Sequence, residues 1–194
     1  MNSIPAHRQG EVLMKRLFHQ RNLLITGASL LALMLTGCRS YKQDATSLLT
    51  DALTSYTWAK SDTNHIKKAI SRISDEIEDD YWIDDTHLTA EGGKRVFDID
   101  VKAVKELVKV DAGDRTVIND AIGDITQGDL GVSGTLVQDA ENDVNADPNE
   151  VALAETAWEN AFSAYGSSDY FGIIGYSEQA WNHAWKALHS CRRH

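Results

Sequence analysis

Apolar residues recur at helical spacing along most of this chain, and this spacing limits the folds that the chain can adopt. The clearest series repeats every three or four residues and consists of Ile66, Ile70, Ile73 and Ile77. Such a series places apolar side chains on one face of an α-helix, whereas a strand requires alternation at every second residue. Pro148 is the only proline after residue 37, so long helices are not interrupted. The sequence therefore predicts an all-α fold.

The same spacing, together with residues suited to helix ends, predicts a bundle of about six helices. Their predicted ranges are 43–59, 63–80, 97–110, 114–142, 147–166 and 169–190. Asp44 is the expected N-cap of the first helix, and Asp62 or Thr63 is that of the second. The fifth helix has the strongest start signal, because Asp147 can act as the N-cap and Pro148 suits the first helical position.

The fourth predicted helix leaves an alternative open. Its apolar stripe runs over 114–142, but it is interrupted by Gly123, Gly128, Gly131 and Gly134. Each glycine in a helix interior costs about 1 kcal/mol relative to alanine. We expect one helix with a kink near Gly128. The alternative is a helix that ends at Gln127, followed by a loop over 127–142.

A short apolar segment, Leu23 to Leu35, precedes the predicted helices. Its length of about 13 residues falls well below the roughly 20 that a membrane-spanning helix needs. Basic residues at 15, 16 and 21 precede it, and small residues follow it. This order is typical of a secretory signal peptide. Because a complete signal begins at Met14, we expect translation to start there and residues 1–13 to be an extension of the gene model.

The apolar segment ends in the four residues Leu35, Thr36, Gly37 and Cys38. They resemble the lipobox of bacterial lipoproteins. The resemblance implies cleavage between Gly37 and Cys38, a diacylglycerol on the Cys38 sulfur and often a further acyl chain, such as palmitate, on the new amino group. Two or more acyl chains anchor a protein stably to a membrane, whereas one does so only marginally.

The lipobox divides the chain into a signal peptide over 1–37, a lipidated tether over 38–43 and a single helical domain over 44–194. Arg39 stands where inner-membrane lipoproteins of Gram-negative bacteria typically carry Asp, which favours the outer membrane. Whether the domain faces the periplasm or the exterior stays open. With Cys38 acylated, Cys191 is the one remaining thiol, so no intramolecular disulfide is possible.

The processed chain is strongly acidic. The full chain has 19 Lys and Arg and 29 Asp and Glu; four basic residues and one acidic residue precede Cys38, which leaves 15 and 28 and a net charge of −13. Between residues 116 and 185 there are 12 acidic residues and no Lys or Arg. Such a surface repels nucleic acid and anionic headgroups. We therefore expect no nucleic-acid partner, and instead a protein partner in the cell envelope.

A segment between the second and third helices carries the one catalytic hypothesis, "IDDTHLTAEGGKRVF". It resembles the last sequence block of SGNH or GDSL hydrolases, which implies that Asp84 and His87 would be the acid and base of a catalytic triad. Those enzymes also need an upstream serine in a Gly-Asp-Ser setting, and here "GDRT", "GDIT" and "GDLG" lie downstream and lack it. We therefore expect no enzyme, and interpret Asp84 and His87 as polar loop residues that cap the next helix.

A calcium site is the second hypothesis. Asp143, Asn145 and Asp147 follow the alternate spacing of a calcium loop. The sixth position, where such loops need glycine, is Pro148, and the twelfth is Ala154 rather than glutamate. A helix N-cap with flanking acids is therefore the preferred interpretation, and no metal cofactor is expected.

The last two helices form a hairpin, "AWENAFSAYGSSDYFGIIGYSEQAWNHAWKAL", over residues 157–188. It resembles a single tetratricopeptide unit, although repeats of that kind normally need about three copies to form a continuous core. The whole processed domain is similar to uncharacterised helical modules of exported prokaryotic proteins, a resemblance that implies no activity. The favoured function is a membrane-anchored, non-enzymatic binding, scaffold or assembly accessory of the envelope; the alternative is the hydrolase.

Overall fold

The computed structural model describes residues 37–111 and 115–190, and these form a bundle of six α-helices. The helices are α1 (Cys38–Ser55), α2 (Lys60–Glu76), α3 (Gly92–Leu107), α4 (Thr116–Asn142), α5 (Pro148–Gly166) and α6 (Tyr170–His189). Within the described residues the only β-structure is an isolated bridge between Trp82 and Leu88. The predicted all-α class is confirmed. Residues 1–36 of the predicted signal peptide, including Met14 and Leu35, and the thiol of Cys191 lie outside the described residues.

The first helix begins earlier than its sequence indicates. α1 starts at Cys38 and not after Asp44, so residues 38–43 are helical, which corrects the predicted tether. Gly37 precedes the helix with φ of +85°, a left-handed conformation that glycine adopts without steric cost. The buried stripe of the helix extends from Ala45 back to Lys42, which is fully buried. A charged residue on the apolar face masks the true start in the sequence.

The second helix also starts earlier, at Lys60. Asp62, one of its two predicted N-caps, lies inside the helix, and so does the other, Thr63. The Asp62 side chain is buried and accepts a hydrogen bond of 3.2 Å from the backbone N–H of Asp111. Asp62 therefore stabilises the chain after α3 rather than the start of α2.

α4 is a single helix of 27 residues, which confirms the expected helix and makes the alternative loop over 127–142 wrong. Close contacts with neighbouring helices explain why two positions of this helix are occupied by glycine. A Cβ on Gly128 would lie 2.6 Å from Lys42 Cε, and a Cβ on Gly134 would lie 2.8 Å from Trp158 Nε1. These positions have no room for a larger residue, so packing with α1 and α5 offsets the low helix propensity of glycine.

The predicted start of α5 is confirmed. Asp147 is the N-cap and accepts a 2.9 Å hydrogen bond from the backbone N–H of Asn149, and Pro148 occupies the first turn. α6 begins in the same way at Asp169, whose side chain accepts from the N–H of Gly172 at 3.0 Å. The helical hairpin formed by α5 and α6 packs on α4, where Trp158 Nε1 donates to a backbone carbonyl at 3.2 Å.

Candidate functional site

A lysine and three carboxyl groups meet in the interior of the bundle, and each comes from a different helix. We call this the Lys42 cluster; its members are Lys42 (α1), Glu76 (α2), Asp100 (α3) and Asp129 (α4). All four side chains are at most 1 % exposed. Lysine, glutamate and aspartate are almost never fully buried unless they are paired. The cluster therefore stands apart from the rest of the core.

The lysine ammonium group lies against all three carboxyl groups. Lys42 Nζ donates to Asp100 Oδ2 at 2.5 Å and to Asp129 Oδ1 at 2.9 Å. Glu76 Oε1 lies 3.2 Å from the same nitrogen, close enough for an ion pair but outside hydrogen-bond geometry. An ammonium group has three N–H donors and no acceptor, and two of these donors make hydrogen bonds within the cluster.

Burial and the mutual proximity of the carboxyl groups shift the pKa values of the cluster. For Asp100, burial and then the neighbouring Glu76 raise the pKa well above its ordinary value, although Lys42 lowers it. For Asp129, burial and then Asp100 raise the pKa well above its ordinary value in the same way. Burial also raises the pKa of Glu76, against the effect of Lys42.

The pKa of Lys42 shifts in the direction that keeps its side chain charged. Burial by itself lowers the pKa of its ammonium group, but the charges of Asp100, Asp129 and Glu76 outweigh this effect and raise the pKa well above its ordinary value. A buried lysine without such neighbours would lose its proton more readily. The cluster therefore contains one permanent cation and three acids that resist ionisation.

The sequence contains a signal for this cluster, although the spacing of apolar residues alone does not reveal it. Each member sits on the apolar stripe of its helix, three or four residues from a buried apolar neighbour. Those neighbours are Ala45, Ile73, Phe97 and Ile125. A charged residue at a core position of one helix requires a partner, and four such positions on four helices predict that they meet.

The structure brings the predicted pair Asp84 and His87 together. His87 Nδ1 lies 2.9 Å from the Asp84 carboxylate, and the other ring nitrogen, Nε2, lies 3.0 Å from Asp139 Oδ2 on α4. We call these three residues the His87 clamp. Burial lowers the pKa of His87, but hydrogen bonds with Asp84 and Asp139 outweigh it and raise the pKa. The clamp thus joins the loop after α2 to the end of α4.

Asp84 is fixed by its own loop. Its carboxylate accepts hydrogen bonds from the backbone N–H of Thr86 at 2.8 Å and of His87 at 2.9 Å. Burial opposes ionisation, but these bonds and the imidazole together outweigh it and hold the pKa of Asp84 at about 2. The expectation that this pair caps the next helix needs correction, because Thr89 Oγ1 accepts from the N–H of Gly92 at the start of α3.

The clamp geometry bears on hydrolase chemistry. A histidine that activates a nucleophile needs one ring nitrogen facing the acid and the other facing the nucleophile. In this structure Asp139 occupies the second position, so a hydroxyl group would have to displace a carboxylate. The nearest hydroxyl, Thr86 Oγ1, lies 3.0 Å from Nδ1 and also contacts Asp84. The arrangement is that of a charge-paired histidine.

Two of the three calcium candidates accept hydrogen bonds from local backbone, and the third, Asn145, donates its side-chain amide to Asp143. Asp143 follows α4 and accepts from the N–H of Asn145 at 2.9 Å, and Asp147 caps α5. Asp147 also borders a surface cavity of about 390 Å³, which Trp185 and His189 of α6 line on the other side. Across residues 37–111 and 115–190, no group of three or more His, Cys, Asp or Glu side chains is placed to hold a metal ion.

Cys38, the residue that the lipobox predicts to be lipidated, is the first residue of α1 and is buried in the uncleaved chain. Burial raises the pKa of its thiol to about 12, although the charge of Lys42 lowers it. Its backbone carbonyl lies against Gly128 of α4. The sulfur therefore occupies part of the core, next to the Lys42 cluster.

Arg39 ties the start of α1 to the chain after α2. Its Nε donates to the carbonyl of Ile77 at 3.0 Å, and its Nη2 lies 2.5 Å from Asp79 Oδ1. Its backbone N–H donates to the carbonyl of Asp85 at 2.9 Å. The side chain is largely enclosed by these contacts. Arg39 thus has a structural role, whatever the outcome of the predicted lipidation at Cys38.

No protein-family profile matches this chain, and comparisons with curated proteins and with solved structures find no similar chain. Among the helices of residues 37–111 and 115–190, none combines the length and the apolar character needed to cross a membrane.

Proposed function

We propose that this chain is a lipid-anchored helical domain of the bacterial cell envelope, with a non-enzymatic binding, scaffold or assembly role. One observation carries the proposal: the four residues from Leu35 to Cys38 match a lipobox at each position and end a short apolar segment preceded by basic residues. This order of basic, apolar and small residues is that of an export signal. We further propose a protein partner in the envelope.

The position of α1 supports this proposal. Cleavage between Gly37 and Cys38 would leave all six described helices complete, since α1 begins at Cys38. The lipid would then be attached at the first helical residue, without a flexible linker. A domain anchored in this way lies close to the membrane surface, and its acidic character keeps it from binding anionic headgroups.

The burial of Cys38 adds a condition to the proposal. The Cys38 sulfur is fully buried in the uncleaved chain, so the residues around it must rearrange to admit a diacylglycerol chain. Lys42 follows one turn later and keeps the remainder of the helix in the bundle through its three carboxyl partners. An outer-membrane destination rests on Arg39, whose contacts with Ile77 and Asp79 also explain its presence.

The non-enzymatic role is favoured because the charged groups of the Lys42 cluster and the histidine already have partners within the protein. The Lys42 cluster is closed to solvent, and both ring nitrogens of His87 contact carboxylates. The alternative is a hydrolase that uses Asp84 and His87, which their 2.9 Å contact supports. A purified chain that cleaves simple esters, and loses that activity on His87→Ala but keeps it on His183→Ala, would overturn the non-enzymatic role.

The lipid anchor is tested by metabolic labelling in a bacterial host with an alkyne-tagged fatty acid. We expect wild type and the control Cys191→Ser to take up the label, to lose residues 1–37 and to fractionate with membranes. Cys38→Ser should be unlabelled and uncleaved. The intact mass of the mature chain then gives the number of acyl groups. A mature wild-type chain with a free Cys38 thiol and no label would overturn the proposal.

A further inference from the structure

The charges of the Lys42 cluster do not balance if every group is ionised. Three carboxylates and one ammonium group would leave two negative charges in the interior, at positions that are at most 1 % exposed. An isolated buried charge is so unfavourable that the group normally becomes neutral instead. For a carboxyl group this means taking up a proton, so a balanced cluster contains one carboxylate and two neutral carboxylic acids.

Several carboxyl oxygens of the cluster lack a hydrogen-bond donor, as expected if two of the carboxyl groups carry protons. Four of its carboxyl oxygens accept no hydrogen bond from any group within the described residues: Glu76 Oε1 and Oε2, Asp100 Oδ1 and Asp129 Oδ2. Buried polar atoms are otherwise almost always paired. One oxygen of each carboxyl group lies within 3.2 Å of Lys42 Nζ, so the three groups are close neighbours. A proton on a carboxyl group supplies the O–H donor that carboxylates lack, and can join neighbouring carboxyl groups directly.

From this geometry we infer that the Lys42 cluster is a proton-dependent lock: its three carboxyl groups together hold two protons in the folded protein, and these protons fasten α1 to α2, α3 and α4. The protons belong to the cluster as a whole, since closely coupled acids titrate together. The lock depends neither on the lipid anchor nor on any partner.

The lock has a defined dependence on pH. Folding takes up protons whenever the folded carboxyl groups hold them more tightly than the unfolded chain does. The unfolded groups have their ordinary pKa values of 3.8 for Asp and 4.5 for Glu. The contribution of the cluster to stability is therefore fully present below these values and falls as the pH rises above them towards the raised pKa values of the folded cluster. This direction is opposite to ordinary acid denaturation.

Other titratable groups near the cluster do not account for the effect. The thiol of Cys38, which faces Lys42, Asp129 and Asp84, has a pKa of about 12 and stays protonated. Tyr41, on the same helix and near Asp124 of α4, has a raised pKa and stays neutral. The pKa of His87 is raised above 6.5, so its own contribution to the pH dependence arises at higher pH.

The inference is tested by denaturant unfolding of the purified full chain between about pH 5 and about pH 6, in wild type and Asp129→Asn. Asparagine has the shape of a neutral aspartic acid but binds no proton, so the variant should hold one proton fewer. Each extra bound proton changes the unfolding constant about tenfold per pH unit. We therefore expect the ratio of the wild-type to the variant unfolding constant to rise about tenfold over this interval.

The matched control is Asp120→Asn, the same substitution at an exposed position of α4. Its unfolding constant should keep a fixed ratio to that of wild type over the same interval. If Asp129→Asn does not fold, Glu76→Gln removes one proton by the same reasoning and gives the same expected rise. A ratio for these cluster variants that does not change with pH would overturn the inference.

Discussion

The Lys42 cluster and the His87 clamp both surround one cationic side chain with carboxyl groups, yet the acids behave in opposite ways. Asp84, 53 % exposed in the clamp, has a pKa of about 2, whereas Asp100, fully buried beside Lys42, has a pKa well above its ordinary value. The nearest cation is less than 3 Å away in both cases. Two differences decide the outcome: Asp84 accepts hydrogen bonds that favour its charged form, whereas Asp100 is excluded from water and lies beside a second acid, Glu76.

The two regions should also differ in what they contribute to stability. The clamp is partly exposed, and pairs of that kind contribute roughly 0–1 kcal/mol. Removing one member of a buried ionic cluster costs several kcal/mol, because it leaves an unpaired charge in the core. The comparison can be tested by changing one group in each region.

The largest effect is expected for Lys42→Met, which removes the only cation among three buried carboxyl groups. We expect a loss of about 3–5 kcal/mol in the free energy of unfolding near neutral pH, measured by chemical denaturation. The loss should shrink near about pH 4, where the carboxyl groups are protonated in the unfolded chain as well. Lys67→Met, at an exposed position of α2, is the control and should change stability by less than about 0.5 kcal/mol. Equal losses in the two variants would remove the distinction between buried and exposed charge.

A smaller effect is expected for Gly128→Ala, which adds a methyl group against the cluster. The new Cβ would lie 2.6 Å from Lys42 Cε and 3.1 Å from the carbonyl oxygen of Cys38. Because Lys42 is held by three carboxyl groups, it cannot move aside, and we expect a loss of about 1–3 kcal/mol. Gly123→Ala, on the same helix with open space around it, should instead stabilise the protein by about 1 kcal/mol. Thermal unfolding of both variants checks the opposite signs, and stabilisation by Gly128→Ala would show that the lysine is free to move.

The smallest effect is expected for His87→Gln in the clamp, which should cost less than about 1 kcal/mol because its partners are half exposed. The folded pKa of His87 is raised, so the clamp contributes fully below about pH 6.5 and loses its contribution as the pH rises through the folded pKa. Thermal unfolding at about pH 6 should therefore separate wild type from the variant, and unfolding at about pH 9 should not. About 1 M salt should weaken the effect at the lower pH. A difference that persists at high pH would mean that packing, not charge, is responsible.

The fold was predictable because helical spacing is local information. The isoleucines at 66, 70, 73 and 77 identified α2, and Asp147 with Pro148 fixed the start of α5. The start of α1 was not predicted, because Lys42 looks like a surface residue when its helix is read alone. The glycines of α4 were ambiguous for the same reason, since only the neighbours of Gly128 and Gly134 explain them.

In the candidate sites, too, contacts between residues close in sequence were predictable and contacts between distant residues were not. Asp84 and His87 are three residues apart, so their contact could be anticipated from the sequence. Asp139, the third member of the clamp, is 52 residues from His87 and could not. The partners of Lys42 lie 58 and 87 residues away at Asp100 and Asp129, a separation that spacing within one helix does not encode. Charged residues on several apolar stripes are the signal that remains.

The central claim, that the buried carboxyl groups hold two protons, is tested most directly by infrared spectroscopy of the folded chain. The carbonyl band of a protonated carboxyl group is separate from the bands of carboxylates, and at about pH 6 acids with ordinary pKa values are ionised. We predict a band in wild type that loses the intensity of one carboxyl group in Asp129→Asn and keeps it in Asp120→Asn. A wild-type spectrum without that band, or one that Asp129→Asn leaves unchanged, would contradict the account.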